Sequence, residues 1–479
     1  MTRRSKIVCT LGPASDAPRV LAGMIAAGMD VARLNFSHGE AAQHRARFQA
    51  VRRESRRARR NVAILQDLQG PKLRLGTFAE GRIELVPGET VLLATAPGVV
   101  GSPRVIPVPL PTLARDCRVG DPVLLDDGRV RLRVKRRQGR DLEVEVELGG
   151  QLSDHKGVAL PASTVSIPAF TPKDRRDAAL GRELGVDLVA MSFVRTARDV
   201  EHARRHLAPG TPLIAKMEKP QAIDNLEAIL RAANGIMVAR GDLGVELPLE
   251  QVPGIQKRLV RQANLLGRPC IVATEMLESM IQAPRPTRAE VSDVANAVLD
   301  GADAVMLSAE TAVGHDPVAA VETMARIVEE AERSVPARVR PDLAGSPQHR
   351  GEARGAPPPR DVSPGIAAAA VEAARSCGAK VIVAYTESGY TARLVAAFRP
   401  PMPILALTPN EAVVHQLALV WGVEAHLVPR VRSTDAVMSR ARREVRRRGL
   451  ASPGDQMATL AGVPLNEPGN TNLLTVQPV

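Results

Sequence analysis

Eight short apolar runs, each separated from the next by residues with helical spacing, constrain this chain more than any other feature. They are IVCT (7–10), VARLN (31–35), VAILQD (62–67), LVAMSF (188–193), LIAKME (213–218), IMVARGD (236–242), CIVATE (270–275) and AVMLS (304–308). Strands joined through helices pair in parallel, and eight such units close into a (β/α)8 TIM barrel. Polar residues gather at the C-terminal ends of the runs: Asn35, Asp67, Ser192, Glu218, Asp242, Thr274 and Ser308. In such a barrel that end carries the active site.

The third unit is interrupted. From about Pro71 to Ser163 the pattern turns to alternating strands such as DLEVEVEL, with Asp127-Gly128 as a hairpin turn. The expectation is a barrel over 1–70 and 164–340 with a small β-barrel domain inserted at 71–163, placed to close over the mouth and exclude water. Residues 341–362 are rich in Pro, Gly and charge and read as a linker. Beyond them KVIVAYT, PILALT and VEAHLV alternate with helical segments, predicting an open α/β domain over 363–479.

Two of the apolar runs carry charge where a buried strand should not. Lys216 and Glu218 are two apart and share a face of their strand, and in a parallel sheet the next strand ends with Asp242 beside Glu218. Two bare carboxylates about 4 Å apart repel by roughly 4 kcal/mol at an effective dielectric of about 20. A divalent cation removes that cost, and magnesium is often held by one or two carboxylates while substrate phosphates complete its shell. A neighbouring ammonium then stabilises a phosphoryl group in transfer. The plainer alternative is a structural ion pair.

Composition narrows the rest. The chain has 479 residues, 44% hydrophobic and 24% charged, which suits a globular protein of several domains. Cys9, Cys117, Cys270 and Cys377 form no CxxC pair, so neither a disulfide framework nor a zinc module is indicated. MTRRSKIVCT runs straight into a strand, and no stretch of about 18 apolar residues follows, so the expectation is a soluble cytoplasmic protein without membrane contact. The net charge of +12 raises nucleic acid as a partner, but aromatics are only 2% and offer few stacking platforms. Runs such as RRESRRARR (52–60) read as solvated helix faces. Only nine of the 64 basic residues are lysines, and Lys6, Lys72, Lys156, Lys216 and Lys219 fall in segments that look chemical for other reasons. His202 and His206, four apart, offer a metal pair or, more simply, an exposed basic face.

Several motifs resemble the pyruvate kinase family, in order and over nearly the full length: KIVCTLGPAS, MDVARLNFSHG, DLQGPKLRLG, LLDDGRV, SDHKGV, VARGDLGVELP, ATEMLESM and PTRAEVSDVANAVLDGADAVMLSAET. The terminal AGVP…GNTNLL matches as well. The resemblance is to bacterial members, within them to the potassium-independent group. It implies transfer of the phosphoryl group of phosphoenolpyruvate to ADP, giving pyruvate and ATP. Glu218 and Asp242 would hold Mg2+ or Mn2+, and Lys216, Arg33 and Arg74 would meet the phosphoryl group. The backbone N–H groups of Gly241 and Asp242 would receive the carboxylate, with Ser192 in the substrate set and Thr274 arranging enolate protonation. Asn35, His38, Arg74 and Lys156 would contact the nucleotide.

Family members that bind potassium do so through positions matching Asn35, Ser37, Asp67 and the Leu68 carbonyl, and carry Glu where this chain has Lys72. An ammonium there is a built-in monovalent charge, so activity without K+ is expected. TESGYTA (386–392) resembles the family's effector loop, with Thr386, Ser388, Gly389 and Thr391 as ligands for a sugar phosphate or AMP, although Glu387 would repel phosphate. A homotetramer is implied. The rival chemistries are a metal-dependent lyase acting on pyruvate-like enolates, which would not need Lys156, and a basic RNA-binding protein.

Overall fold

The computed structural model describes residues 3–163, 166–334, 361–467 and 469–479, so most of the expected linker, 341–360, lies outside the described residues. Eight parallel strands form a closed barrel: Lys6–Thr10, Val31–Asn35, Ala63–Leu68, Leu188–Met191, Leu213–Met217, Gly235–Ala239, Cys270–Ala273 and Ala304–Leu307. Each matches one of the eight apolar runs. Five runs end earlier than their sequence suggests, three of them at expected site residues. Glu218 lies just past its strand, residues 240–242 open the helix Arg240–Glu246, and Thr274 and Glu275 form a turn with φ of 71° and 53°.

Side-chain alternation along these strands sets the site. Val8, Val31, Ala63, Leu65, Leu188, Ala190, Ile214, Met237, Ile271 and Ala304 pack together inside the barrel, while Ile7, Cys9, Ala32, Ile64, Val189 and Ala215 pack against the surrounding helices. A strand repeats every two residues, so the inward series continues to Thr10, Arg33, Asp67, Ser192 and Lys216 at the C-terminal ends. The barrel is filled with aliphatic layers below and capped by a polar layer.

The helices are punctuated as their sequences require. Thr171 and Thr287 accept the N–H groups of Asp174 and Glu290 at the starts of Pro172–Leu184 and Arg288–Asp300, each a reciprocal capping box. The segment 71–163 has its own core, Leu75, Phe78, Leu93, Leu132 and Val144 among it. Its hydrogen bonding resolves into a six-stranded sheet and a two-stranded ribbon, where the sequence suggested a small barrel. Asp127-Gly128 turns between the antiparallel strands Pro122–Leu125 and Val130–Gln138. Gly70 leads into this segment with φ of 68°, and a Cβ there would lie 2.7 Å from the Phe193 ring.

Residues 381–478 carry a five-stranded sheet, four strands parallel and the last, Leu473–Pro478, antiparallel. This domain docks on the N-terminal end of the barrel. Ala418 and Leu419 join the barrel's interior cluster, Lys6 Nζ donates to the Val423 carbonyl at 2.9 Å, and Arg399 pairs with Asp303 at 3.1 Å. Among the described residues no helix is long and apolar enough to cross a membrane.

Candidate active site

The polar cap of the barrel is one continuous network. Lys216 Nζ lies 2.8 Å from Glu218 Oε1 and 3.5 Å from Asp67 Oδ1, and donates to Ser192 Oγ at 2.8 Å. Ser192 in turn donates to the Leu68 carbonyl at 2.8 Å. Arg33 donates to Asp67 Oδ2 through Nε at 2.7 Å and to Thr10 Oγ1 through Nη1 at 2.9 Å. Glu218 Oε2 accepts the Phe193 N–H at 2.8 Å. Arg33, Asp67, Ser192, Lys216 and Glu218 are all buried.

The charges shape one another. Burial works to lower the Lys216 pKa, but Asp67, Glu218 and Asp242 outweigh it and hold the ammonium above the usual lysine value. Burial and then the field of Asp242 raise the Glu218 carboxyl against the pull of Lys216. Three carboxylates therefore share two buried cations, and Asp67 Oδ1 has no hydrogen-bond donor. Among the described residues no group of three or more His, Cys, Asp or Glu side chains forms a metal cluster by itself.

The turn at Thr274 is held from behind by a residue the sequence reading passed over. Arg240 Nη2 donates to the Thr274 carbonyl at 2.6 Å, and its Nη1 pairs with Asp293 at 2.6 Å. An arginine ending an apolar strand was the available signal. Thr274 Oγ1 accepts the Gly241 N–H at 2.7 Å. The Gly241 N–H that the resemblance gives to the substrate carboxylate is thus held by Thr274 in this arrangement.

The residues expected at the nucleotide side fall into two groups. His38 is lowered in pKa by burial and by Arg74, Lys72 and Arg33, so these charges converge on it. Arg74 Nη1 donates to the His155 carbonyl at 3.0 Å, and Leu75 N donates to the Lys156 carbonyl at 2.9 Å, which sets Lys156 alongside Arg74. The Lys156 ammonium pairs with Asp126 at 2.9 Å. Asn35 Oδ1 accepts the Ser37 N–H at 3.1 Å. Lys72 is exposed and makes no ion pair with Asp67, whose charge is met by Arg33 and Lys216.

In the C-terminal domain Gly389, φ 77°, caps the helix Tyr390–Ala397. Thr386 is buried, and Thr391 Oγ1 bonds to Thr471 Oγ1 at 2.7 Å. Glu387 pairs with Arg430 at 3.0 Å, which answers the repulsion expected of it. The rings of His202 and His206 meet edge to face at 5.3 Å, and His206 stacks on Phe170 at 5.1 Å.

Comparison with known proteins places this geometry. Residues 2–321 match the family model described as pyruvate kinase, barrel domain, and residues 365–477 match pyruvate kinase, alpha/beta domain. The chain is 47% identical over 479 residues to the pyruvate kinase of Mycobacterium intracellulare, covering 99% of this chain and 98% of that one. It is 47% identical over 483 residues to the pyruvate kinase of Corynebacterium glutamicum, with coverage of 99% and 98%. A crystal structure of a pyruvate kinase from Cryptosporidium parvum superposes with a TM-score of 0.91 at 34% identity, covering 100% of this chain and 96% of that one.

Proposed function

The chain belongs to the pyruvate kinase family and is a glycolytic phosphotransferase that moves the phosphoryl group of phosphoenolpyruvate to ADP, and we propose that the cluster of buried Lys216 and Glu218 with half-buried Asp242 is where it does so. The observation that carries the reading is a buried lysine held between carboxylates at the mouth of the barrel, 2.8 Å from Glu218. Nothing in the fold or the comparisons favours the lyase alternative.

Members of this family use a divalent metal ion, and the residues here fit one. The site sets three carboxylates, the buried Asp67 and Glu218 and the half-buried Asp242, against two buried cations, its donors are oxygens, and Asp67 Oδ1 lacks a donor. We assign Glu218 and Asp242 to Mg2+, with Mn2+ as the alternative occupant. When bound, such an ion neutralises phosphoryl oxygens and orients them as a Lewis acid.

The protein's own groups supply the rest. The Lys216 ammonium, kept charged by three carboxylates, stabilises negative charge on the phosphoryl group in transit. Arg33 is oriented by Asp67 and Thr10 before substrate arrives, so little reorganisation is left for the reaction. Arg74 supplies a second guanidinium for the phosphoryl group. The substrate carboxylate takes the N–H groups of Gly241 and Asp242, displacing the Thr274 hydroxyl, which is then free to pass a proton, through water, to the enolate carbon. Asn35, His38, Arg74 and Lys156 receive ADP, with Lys156 delivered by the segment 71–163 as it closes.

The proposal includes activity without K+, through Lys72 beside the Asn35, Ser37, Asp67 and Leu68 positions. It also includes a cytoplasmic homotetramer, and a sugar phosphate or AMP as effector at Thr386, Ser388, Gly389 and Thr391. The test is a coupled assay of pyruvate release with phosphoenolpyruvate, ADP and Mg2+, run with and without K+. Pyruvate release that does not depend on ADP would overturn the catalytic assignment, and a tenfold loss without K+ would remove the Lys72 part of it.

A further inference from the structure

Lys219 follows Glu218 directly, and its ammonium pairs with Glu246, the last residue of the helix Arg240–Glu246 that opens with Gly241 and Asp242. The pair therefore ties the segment presenting one expected metal carboxylate to the helix presenting the other. It is not a surface contact, since only 15% of the Lys219 side chain and 6% of the Glu246 side chain meet solvent. Asp242 and Glu246 are also four apart on one helix, where like charges face and repel each other. Lys219 offsets that charge from the far end.

The same ammonium lies over the Phe193 ring, 5.2 Å from its centre, where the ring face attracts a cation. Phe193 stands at a φ of 57°, a conformation that a bulky residue keeps only where its neighbours hold it. Its N–H is the donor that fixes Glu218 Oε2 at 2.8 Å. One side chain thus bears on both carboxylates, on Asp242 through Glu246 and on Glu218 through Phe193. Among the described residues it forms no ion pair with either.

Leu73, Val158 and Leu160 of the inserted segment face the pair across a cavity of about 40 Å³, room for a few water molecules and too small for a substrate. With so little water present, the attraction within the pair is stronger than at a surface. We propose that Lys219 is the positioning residue of the metal site, fixing Glu218 and Asp242 in place before the cation arrives. The inference rests on the assignment of those two carboxylates to the metal. The plainer role, a structural ion pair, predicts lost stability without lost metal affinity.

The experiment is titration of the full-length, substrate-free protein with Mn2+ alone, read by the relaxation of water protons, with melting curves in EDTA for each variant. Lys219→Met and Glu246→Gln are each expected to weaken Mn2+ binding about tenfold, the size usual for a partner that orients a metal ligand from behind. Their double variant is expected to lose about as much as either alone, because the two side chains act as one link. Lys219→Arg keeps the cation and its place over the ring, and is expected to bind Mn2+ within about threefold of wild type. Glu246→Gln keeps the native shape and reads the link if Lys219→Met fails to fold. Unchanged Mn2+ affinity in Lys219→Met and Glu246→Gln overturns the inference, and a lower Tm alongside it shows the pair to be structural. Glu218→Gln and Asp242→Asn separate the two levels of the argument. If these bind Mn2+ as wild type does, the metal assignment itself has failed; if they lose it while the Lys219 and Glu246 variants do not, only the positioning role has.

Discussion

Arg240 donates to the carbonyl of Thr274 across 2.6 Å, and this bond fixes a β-branched residue in the left-handed region at the edge of the active site. Threonine at a φ of 71° costs of order 1–3 kcal/mol, a strain that persists only when neighbours hold it. Arg240, anchored by Asp293, is that neighbour.

Replacing Arg240 with Gln should therefore act on catalysis through Thr274. The expected result is a fall in kcat of about 100-fold with a smaller change in KM for phosphoenolpyruvate, as for other misplacements of about 1 Å. Steady-state kinetics on a folded variant checks this. A pure KM effect would point to substrate binding alone.

Lys216→Met should lower kcat by 10²–10³ or more, the size seen when one preorganised charge is removed. It also leaves Glu218 and Asp67 without their shared ammonium, and breaking a buried pair costs about 3–5 kcal/mol. Added Mg2+ should recover more Tm in this variant than in wild type, because it returns positive charge to the same carboxylates. Melting curves in Mg2+ and in EDTA make the comparison.

Lys72→Glu should create a potassium requirement. The coupled assay is expected to show little K+ dependence in wild type and at least tenfold activation by K+ in the variant. Because Lys72 also lowers His38, the variant's His38 should titrate at higher pH, which a proton NMR titration reads directly.

His44 gives a stability prediction. It stacks on Phe36 at 3.9 Å and its Nε2 lies 3.0 Å from the His38 carbonyl, in a position where burial lowers its pKa from 6.5 to about 4. A depressed pKa means that the unfolded chain takes the proton first. Stability from this group is complete above pH 6.5 and is lost as pH falls towards 4, by at most about 3 kcal/mol. His44→Gln does not titrate, so urea denaturation between pH 4 and 7 should show a flatter profile for it. An equal slope in the two proteins would rule out His44 as the source.

Much of this was legible in the chain itself. Continuous apolar runs separated by helical spacing located the eight strands, and the inward parity of Ile214 and Lys216, or of Val31 and Arg33, follows from the two-residue repeat of a strand. Charge at the end of a buried strand signals a site because it has no other reason to be there. Arg240 escaped notice because its partners, Thr274 and Asp293, are 34 and 53 residues away. Sequence spacing carries no information on such contacts.

The sequence by itself determined the strand count, the open α/β domain and the identity of the charges at the barrel mouth, since these depend on local periodicity and residue chemistry. Only the tertiary structure decided which cation neutralises Asp67, that Gly241 donates to Thr274, and that Lys219 meets both Glu246 and the Phe193 ring. Closing the barrel and docking the second domain bring together groups that are far apart along the chain, and the balance of charge in each site is set by that convergence.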